Sequence, residues 1–105
     1  MKTIPWRPGL QVKIDKNAND VRRWNLSGWV EGAALGSATV TITTPGADPA
    51  FLATLETLGA DYVDVRITPG GVAPGGTYTV MVQPTISAPA LRVDNFSVTF
   101  EVVEQ

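Results

Sequence analysis

The chain has 105 residues with 10 acidic and 8 basic side chains, and it contains neither cysteine nor histidine. A chain of this length forms one compact domain, because domains typically contain about 50 to 200 residues. The missing residue types exclude disulfides, thiol catalysis, histidine acid–base chemistry and most zinc sites. With 44% hydrophobic and 17% charged residues, the composition predicts an ordered, turn-rich globular protein.

The charge is distributed unevenly along the chain. Residues 1–23 contain six basic and two acidic side chains, which gives +4, whereas residues 24–105 contain two basic and eight acidic ones, which gives −6. A basic segment on an acidic body is typical of a segment that meets a charged partner. We therefore predict a docking arm over residues 1–20 and a folded domain over 21–105. The basic segment packing on its own acidic domain is an open alternative.

The candidate contact residues of the arm are an apolar group and a basic group. They are Lys2, Ile4, Pro5, Trp6, Arg7 and Lys13. The apolar side chains are candidate anchors and the basic ones candidate charge partners. Prolines in the arm reduce the entropy that is lost when it docks.

The first ten residues do not fit the pattern expected of a targeting segment. They read MKTIPWRPGL, so two prolines and an arginine interrupt the continuous apolar run that a secretory signal needs. No run of about 18 apolar residues follows that would span a membrane. We expect a protein that stays in the cytoplasm until it is assembled into a larger structure, with no membrane partner.

After residue 20 the dominant pattern is alternation of apolar and polar residues, which is typical of half-buried strands. It is found at 38–43, 62–67, 77–82 and 95–102, with Pro-Gly-rich or Ser-Ala-Pro turns between these segments. Short strands separated by turns predict an all-β fold, an antiparallel β-sandwich of about seven strands. A further strand is predicted at 10–14.

Two segments give conflicting signals. Trp24 and Trp29 fall on opposite faces of a strand over 21–30, and a β-bulge at Ser27-Gly28 would bring both to the core. Without the bulge, Trp29 points outward as a candidate contact. Residues 48–59 fit both a helix that begins at Asp48-Pro49 and an alternating strand, and we favour the extended form.

The segment Val72–Val82 resembles the strand entry of fibronectin type III and other immunoglobulin-like domains. An apolar residue and the Pro74-Gly75 turn lead into Tyr78 and an alternating strand. The resemblance implies an immunoglobulin-like (fibronectin type III-like) sandwich in which Tyr78 is structural, with its ring buried.

From about Val21 to Val102 the order of features is similar to a family of small structural proteins of tailed bacteriophage virions, which includes fibre-to-tail adaptors. The matching segments are Asn25-Leu26-Ser27, Ser37–Thr41, Val63–Ile67 with Pro69-Gly70-Gly71, Gly75–Val80, and the final alternating strand. Members of that family often carry an Asp-Trp pair where this chain has Asn25-Leu26. The resemblance implies a non-enzymatic virion protein that contacts tail, fibre or capsid subunits in symmetric copies. A tail or fibre adaptor is the first choice, and a capsid decoration protein is the alternative.

Other functional classes receive less support from the residues. Residues 15–20 place oxygen ligands at 15, 17 and 19 like a calcium loop, but Asp20 and Leu26 replace its required glycine and glutamate, so we predict a polar turn and no metal. The carboxylates Asp64 and Glu101 lie opposite the apolar rows and are predicted to be solvated, so we predict no enzymatic activity and no cofactor.

Nucleic acid is not an expected partner, because the pI of about 4.9 contrasts with values above about 9 in typical binders. The remaining alternative is a carbohydrate-binding module that attaches to a host glycan. In that case a tryptophan stacks on the sugar, with Trp6, Trp24 and Trp29 as the candidates. Core packing explains Trp24 more simply, so Trp6 is the preferred anchor.

Overall fold

The fold is described from a computed structural model, which covers residues 2–4 and 9–104. The elements of these residues are β1 (Lys2–Ile4), β2 (Gln11–Asp15), β3 (Asp20–Asn25), α1 (Ser27–Val30), β4 (Ser37–Ile42), β5 (Leu52–Leu58), β6 (Tyr62–Thr68), β7 (Thr77–Ile86), β8 (Arg92–Val93) and β9 (Phe96–Val103). The strands form two sheets around one core. The predicted all-β sandwich is therefore confirmed.

The first sheet, sheet A, has the strand order β1-β3-β6-β5. Its central pairs β3–β6 and β6–β5 are antiparallel, whereas β1 runs parallel to β3 and places Ile4 beside Trp24. The register of β5 shifts between Leu55 and Thr57, so that Glu56 is an extra residue in the edge strand. Such a bulge twists a sheet edge and interrupts its pairing.

The second sheet, sheet B, has the strand order β2-β9-β7-β4. The pairs β9–β7 and β7–β4 are antiparallel, but β2 runs parallel to β9. Both sheets are thus mixed, which corrects the prediction of a wholly antiparallel sandwich. Strands β8 and β9 pair with β7 in one continuous register, since Val93 lies opposite Thr85 and Phe96 lies opposite Val82. Strand β8 is a continuation of β9 that is interrupted at residues 94–95.

The core consists of the inward rows of both sheets. Trp24 of sheet A is fully buried, and its ring lies 6.3 Å from that of Phe100 of sheet B. Tyr78 is buried as predicted, and its ring stacks on Phe51 with the centroids 4.2 Å apart. The predicted alternation therefore identifies the inward rows, which are Val63, Val65 and Ile67 on β6, Tyr78, Val80 and Val82 on β7, and Phe96, Val98, Phe100 and Val102 on β9.

The two ambiguous segments have different outcomes. Residues 52–58 form a strand, so the extended interpretation is confirmed. The predicted bulge at 27–28 is wrong, because β3 ends at Asn25 and the chain turns into the short helix α1. Ending the strand removes the conflict between the two tryptophans, since Trp29 no longer follows the strand alternation.

The N-terminal segment is part of the sandwich wherever the structure describes it. Strand β1 extends sheet A and β2 extends sheet B, and the strand expected at 10–14 is confirmed as β2. The boundary at residue 20 between an arm and a sandwich is thus corrected for residues 2–4 and 11–20. These strands belong to the sandwich because each places an apolar side chain on its inward face. Ile4 of β1 and Ile14 of β2 are buried in the core, at 3% and 2% exposure.

Candidate interaction site at the loop end

Three connections gather at the end of the sandwich where β3 ends. They are the segments 26–36, 59–61 and 87–91, and we call this region the loop end. The backbone N–H of Leu26 donates to the carbonyl oxygen of Asp61 at 2.9 Å. The N–H of Leu35 donates to the carbonyl of Ala60, also at 2.9 Å. Backbone hydrogen bonds therefore hold the connections 26–36 and 59–61 together at the loop end.

Helix α1 is short, and its ends are held by side chains and by backbone conformation. At its start, the N–H of Ser27 donates to Asn25 Oδ1 at 3.0 Å. At its end, Glu31 and Gly32 have φ angles of 51° and 84°, in the left-handed region that ends helices and favours glycine. The chain therefore leaves α1 sharply and runs back towards sheet B.

Arg92 fixes the position of α1 against the last connection. Its Nη1 donates to the carbonyl oxygen of Trp29 and its Nη2 to that of Val30, both at 2.9 Å. These are carbonyls of the final helical turn, where a cation also meets the negative end of the helix. The guanidinium carbon lies 5.1 Å from the centre of the Trp29 ring, and Phe96 meets the ring edge-on at 5.5 Å. Trp29 is consequently half-buried and held on two sides.

An open depression of about 730 Å³ lies between α1 and the connection from β7 to β8. Its lining residues are Val30, Glu31, Gly32, Ala33, Ala88, Pro89, Ala90 and Arg92. Five of these are small or medium apolar residues and two carry opposite charges. A smaller pocket of about 260 Å³ is lined by Asn25, Leu26, Gly28, Trp29 and Phe96. Concave, mostly apolar sites with few polar groups are typical of binding sites.

Exposed apolar side chains adjoin the larger depression. Leu91 is 71% exposed and Val93 is 49% exposed, and Leu91 follows the lining residues 88–90 directly in the chain. Neighbouring exposed apolar residues of this kind mark interaction surfaces. The sequence pattern identified residues 87–89 only as a turn, although the apolar run Ala88–Leu91 is a signal for this site.

The residues predicted for docking are not brought together in the described chain. Ile4, predicted as an apolar anchor, is buried in the core of this chain at 3% exposure, so its side chain is not presented at the surface. Lys13 is exposed on the edge strand β2, and Lys2 contributes its backbone to β1. Pro5, Trp6 and Arg7 lie outside the described residues.

The outward face of sheet A carries two ion pairs that bridge neighbouring strands. Arg23 binds Asp64 through Nε–Oδ1 at 2.8 Å and Nη2–Oδ2 at 3.1 Å, and lies over the ring of Tyr62 at 3.8 Å. The hydrogen bonds to Asp64 raise the pKa of Arg23. Asp64 is only 2% exposed, so the prediction that this carboxylate is solvated is wrong. Its burial depends on an arginine that lies 41 residues away in the sequence.

The second ion pair connects β6 to the bulge in β5. Arg66 binds Glu56 through Nε–Oε2 at 3.1 Å and Nη2–Oε1 at 2.9 Å, and its Nη1 donates to Asn19 Oδ1 at 2.8 Å. These hydrogen bonds lower the pKa of Glu56 and raise that of Arg66. The ion pair with Arg66 thus holds Glu56, the extra residue of β5, in position.

The predicted polar turn after β2 has the hydrogen bonds of an Asx turn. The N–H of Asn17 donates to Asp15 Oδ1 at 2.8 Å, and that of Ala18 to the Asp15 carbonyl at 3.0 Å. Within residues 2–4 and 9–104, no three Asp or Glu side chains are grouped so as to hold a metal ion. The same residues include no helix of the length and apolarity that crossing a membrane requires.

Comparison with known proteins finds no protein family, no curated protein and no solved structure that matches this chain.

Proposed function

We propose that this protein is a non-enzymatic structural subunit of a tailed bacteriophage particle, with a fibre-to-tail adaptor as the first choice, and that it docks through the loop end. Its partners are then other virion proteins, and its location is the virion. The position of the exposed Leu91 beside a mostly apolar depression carries the docking part of this proposal, because an exposed apolar group next to a concave apolar surface is typical of an interaction site.

The strand order supports the immunoglobulin-like part of the proposal. Immunoglobulin-like domains of the constant type have the strands A-B-E-D in one sheet and C-F-G in the other. In this chain β3-β6-β5 occupies the places of B-E-D, and β4-β7-β9 occupies those of C-F-G. The segments that resemble the virion family lie on these strands, since 37–41 is in β4, 63–67 is in β6 and 75–80 leads into β7.

The role is tested on particles. Antibody to the chain should label particles recovered from a lysate of the host that produces the phage, and portal, capsid or tail genes should flank its gene. A chain carrying Leu91→Asp should be lost from the particles, whereas the control Leu52→Asp, at a leucine that is 53% exposed on β5, should be retained. Unlabelled particles would contradict the virion role, and equal retention of both variants would contradict docking through the loop end.

Capsid decoration uses the same docking chemistry and differs only in location. Labelling by immunoelectron microscopy distinguishes the two, because an adaptor is found at the tail and a decoration protein over the head. Label over the head alone would replace the adaptor assignment by decoration.

The smaller pocket favours one further candidate, a carbohydrate site. Trp29 and Phe96 supply aromatic surface and Asn25 an amide, which are the groups that bind the apolar face and the hydroxyls of a sugar. A glycan array read beside tryptophan fluorescence tests it, with Trp29→Phe as the variant that should lose the signal. No response to any sugar would remove this candidate.

A further inference from the structure

We propose that the depression at the loop end receives Leu91 from a second copy of this chain, so that two copies associate about a two-fold axis. The inference rests on the proposed function, because it names a partner for the same docking site. In such a pair, each copy supplies one leucine and one depression, and both contacts are equivalent.

The first argument is that the protruding and the receiving parts are neighbours in one loop. Ala90 and Arg92 line the depression, and Leu91 stands between them with 71% of its surface exposed. A two-fold axis that passes beside this loop brings each leucine to the depression of the other copy. A contact of this type closes after two copies and does not propagate into a fibre.

The second argument is charge. The depression has one acidic and one basic lining residue, Glu31 and Arg92. Around a two-fold axis, Glu31 of one copy approaches Arg92 of the other, and the reverse pair forms at the same time. Arg92 has two of its donors on the carbonyls of α1, which leaves three of the five guanidinium donors for a carboxylate.

The remaining lining is suited to an aliphatic side chain. Ala33, Ala88, Pro89 and Val30 present small apolar groups without competing hydrogen-bond donors or acceptors in their side chains. A leucine loses unfavourable contact with water there. A contact confined to this loop is expected to bury less than the roughly 800 Å² per partner of stable complexes. We expect weak association in solution that becomes effective when many copies are held in one particle.

Sedimentation equilibrium of the full chain at concentrations up to about 1 mM tests the association. The wild-type chain should show a monomer–dimer equilibrium, and Leu91→Asp should raise the dissociation constant at least about tenfold. The matched control Leu52→Asp should leave it unchanged. Because both leucines are exposed, unfolding curves of the two variants should overlay that of the wild type. A wild-type chain that is monomeric throughout, or an equal loss in both variants, would overturn the proposal.

Cysteine cross-linking tests the geometry, since the chain has no cysteine of its own. Ala33→Cys and Leu91→Cys proteins are prepared separately and mixed under mild oxidation. The mixture should give a covalent dimer faster than either protein alone, because Leu91 of one copy meets Ala33 of the other. A mixture of Ala33→Cys with Leu52→Cys is the control. Equal rates for the two mixtures would exclude this arrangement.

The two proposals fail separately. A chain that is monomeric but is incorporated into particles through Leu91 retains the virion role, and the occupant of the depression is then a different virion protein. A chain that dimerises through Leu91 but is absent from particles keeps the self-association and loses the virion role.

Discussion

The outward faces of the two sheets are built from different residues. On sheet A, the outward rows of the central strands β3 and β6 contain three charged residues, Arg23, Asp64 and Arg66. On sheet B, the outward rows of the central strands β7 and β9 contain one, Glu101. Sheet B mainly presents hydroxyl side chains, which are Ser37, Thr39, Thr41, Thr77, Thr79, Thr85, Ser97 and Thr99.

The difference shows two ways of holding neighbouring strands together from outside. Ion pairs connect β3 to β6 and β6 to β5 on sheet A, and in the second pair Arg66 lowers the pKa of the Glu56 carboxyl. Sheet B uses β-branched threonines that suit extended backbone, with one cross-strand contact at 3.0 Å between the hydroxyls of Thr79 and Thr99. We therefore expect the response to pH to come from sheet A, and the core to outweigh both faces.

The largest effect is expected from the inward row. Phe100→Ala removes a fully buried ring that packs near Trp24, and should lower the free energy of unfolding by about 3–5 kcal/mol. The neighbouring outward substitution Thr99→Ala is the control and should cost at most about 1.5 kcal/mol. Urea unfolding measures both, and similar losses would contradict the division between inward and outward rows.

The next effect distinguishes the two ion pairs of sheet A. Arg23→Ala leaves the buried Asp64 carboxylate without its partner, whereas Arg66→Ala leaves Glu56, whose side chain is 40% exposed. The fall in Tm should be at least about twice as large for Arg23→Ala.

The double variant Arg23→Ala with Asp64→Ala checks the cause of that fall. It should recover part of the lost Tm, because no unpaired carboxylate is then buried. A double variant that is less stable than Arg23→Ala alone would show that packing, and not the unpaired charge, causes the loss.

A smaller effect is expected from pH. The pKa of Glu56 is lowered in the folded protein by Arg66, so this pair stabilises the fold above the carboxyl's unfolded pKa, and the stabilisation is lost as the pH falls through the lower folded pKa. Glu56→Gln should therefore reduce Tm near neutral pH and have less effect in acid. Thermal scans from neutral pH into this acidic window compare it with the wild type. A difference that stays constant with pH would contradict the role of the charge.

The smallest effect is expected on sheet B. Thr79→Val keeps the branched shape and removes the hydroxyl contact with Thr99, so the free energy of unfolding should change by less than about 1 kcal/mol. The same change should be found at all pH values, because no titrating group is involved. A loss that grows in acid would show that this face is not independent of charge.

The alternation of residues was sufficient to predict most of the sandwich. The sequence predicts strands β6, β7 and β9 because their inward rows are apolar at every second position. The all-β pattern of the rest of the chain favours a strand over a helix at 52–58. Strand β1 has three residues, too few for a periodic signal. The parallel direction of β1 and β2 depends on which edges are open in the folded sheets, and no local pattern encodes this.

The candidate site was predicted less well, for a physical reason. Trp29 was identified as a possible contact, but its partners Arg92 and Phe96 lie more than sixty residues later in the chain. The prediction that Asp64 is solvated is wrong because the alternation along a strand shows only on which face of the sheet a residue lies. It does not show which side chains cover that face. Contacts between distant segments determine both outcomes.

The position of β9 has a consequence for how the fold is completed. Within the described residues it follows all the other strands in the chain order, yet it lies between β2 and β7 in sheet B. During synthesis the two flanking strands therefore emerge first and have no common neighbour until Phe96–Val103 arrives. Both would expose unpaired backbone groups in that interval, so pairing with β9 is the step that links β2 to β7 in sheet B.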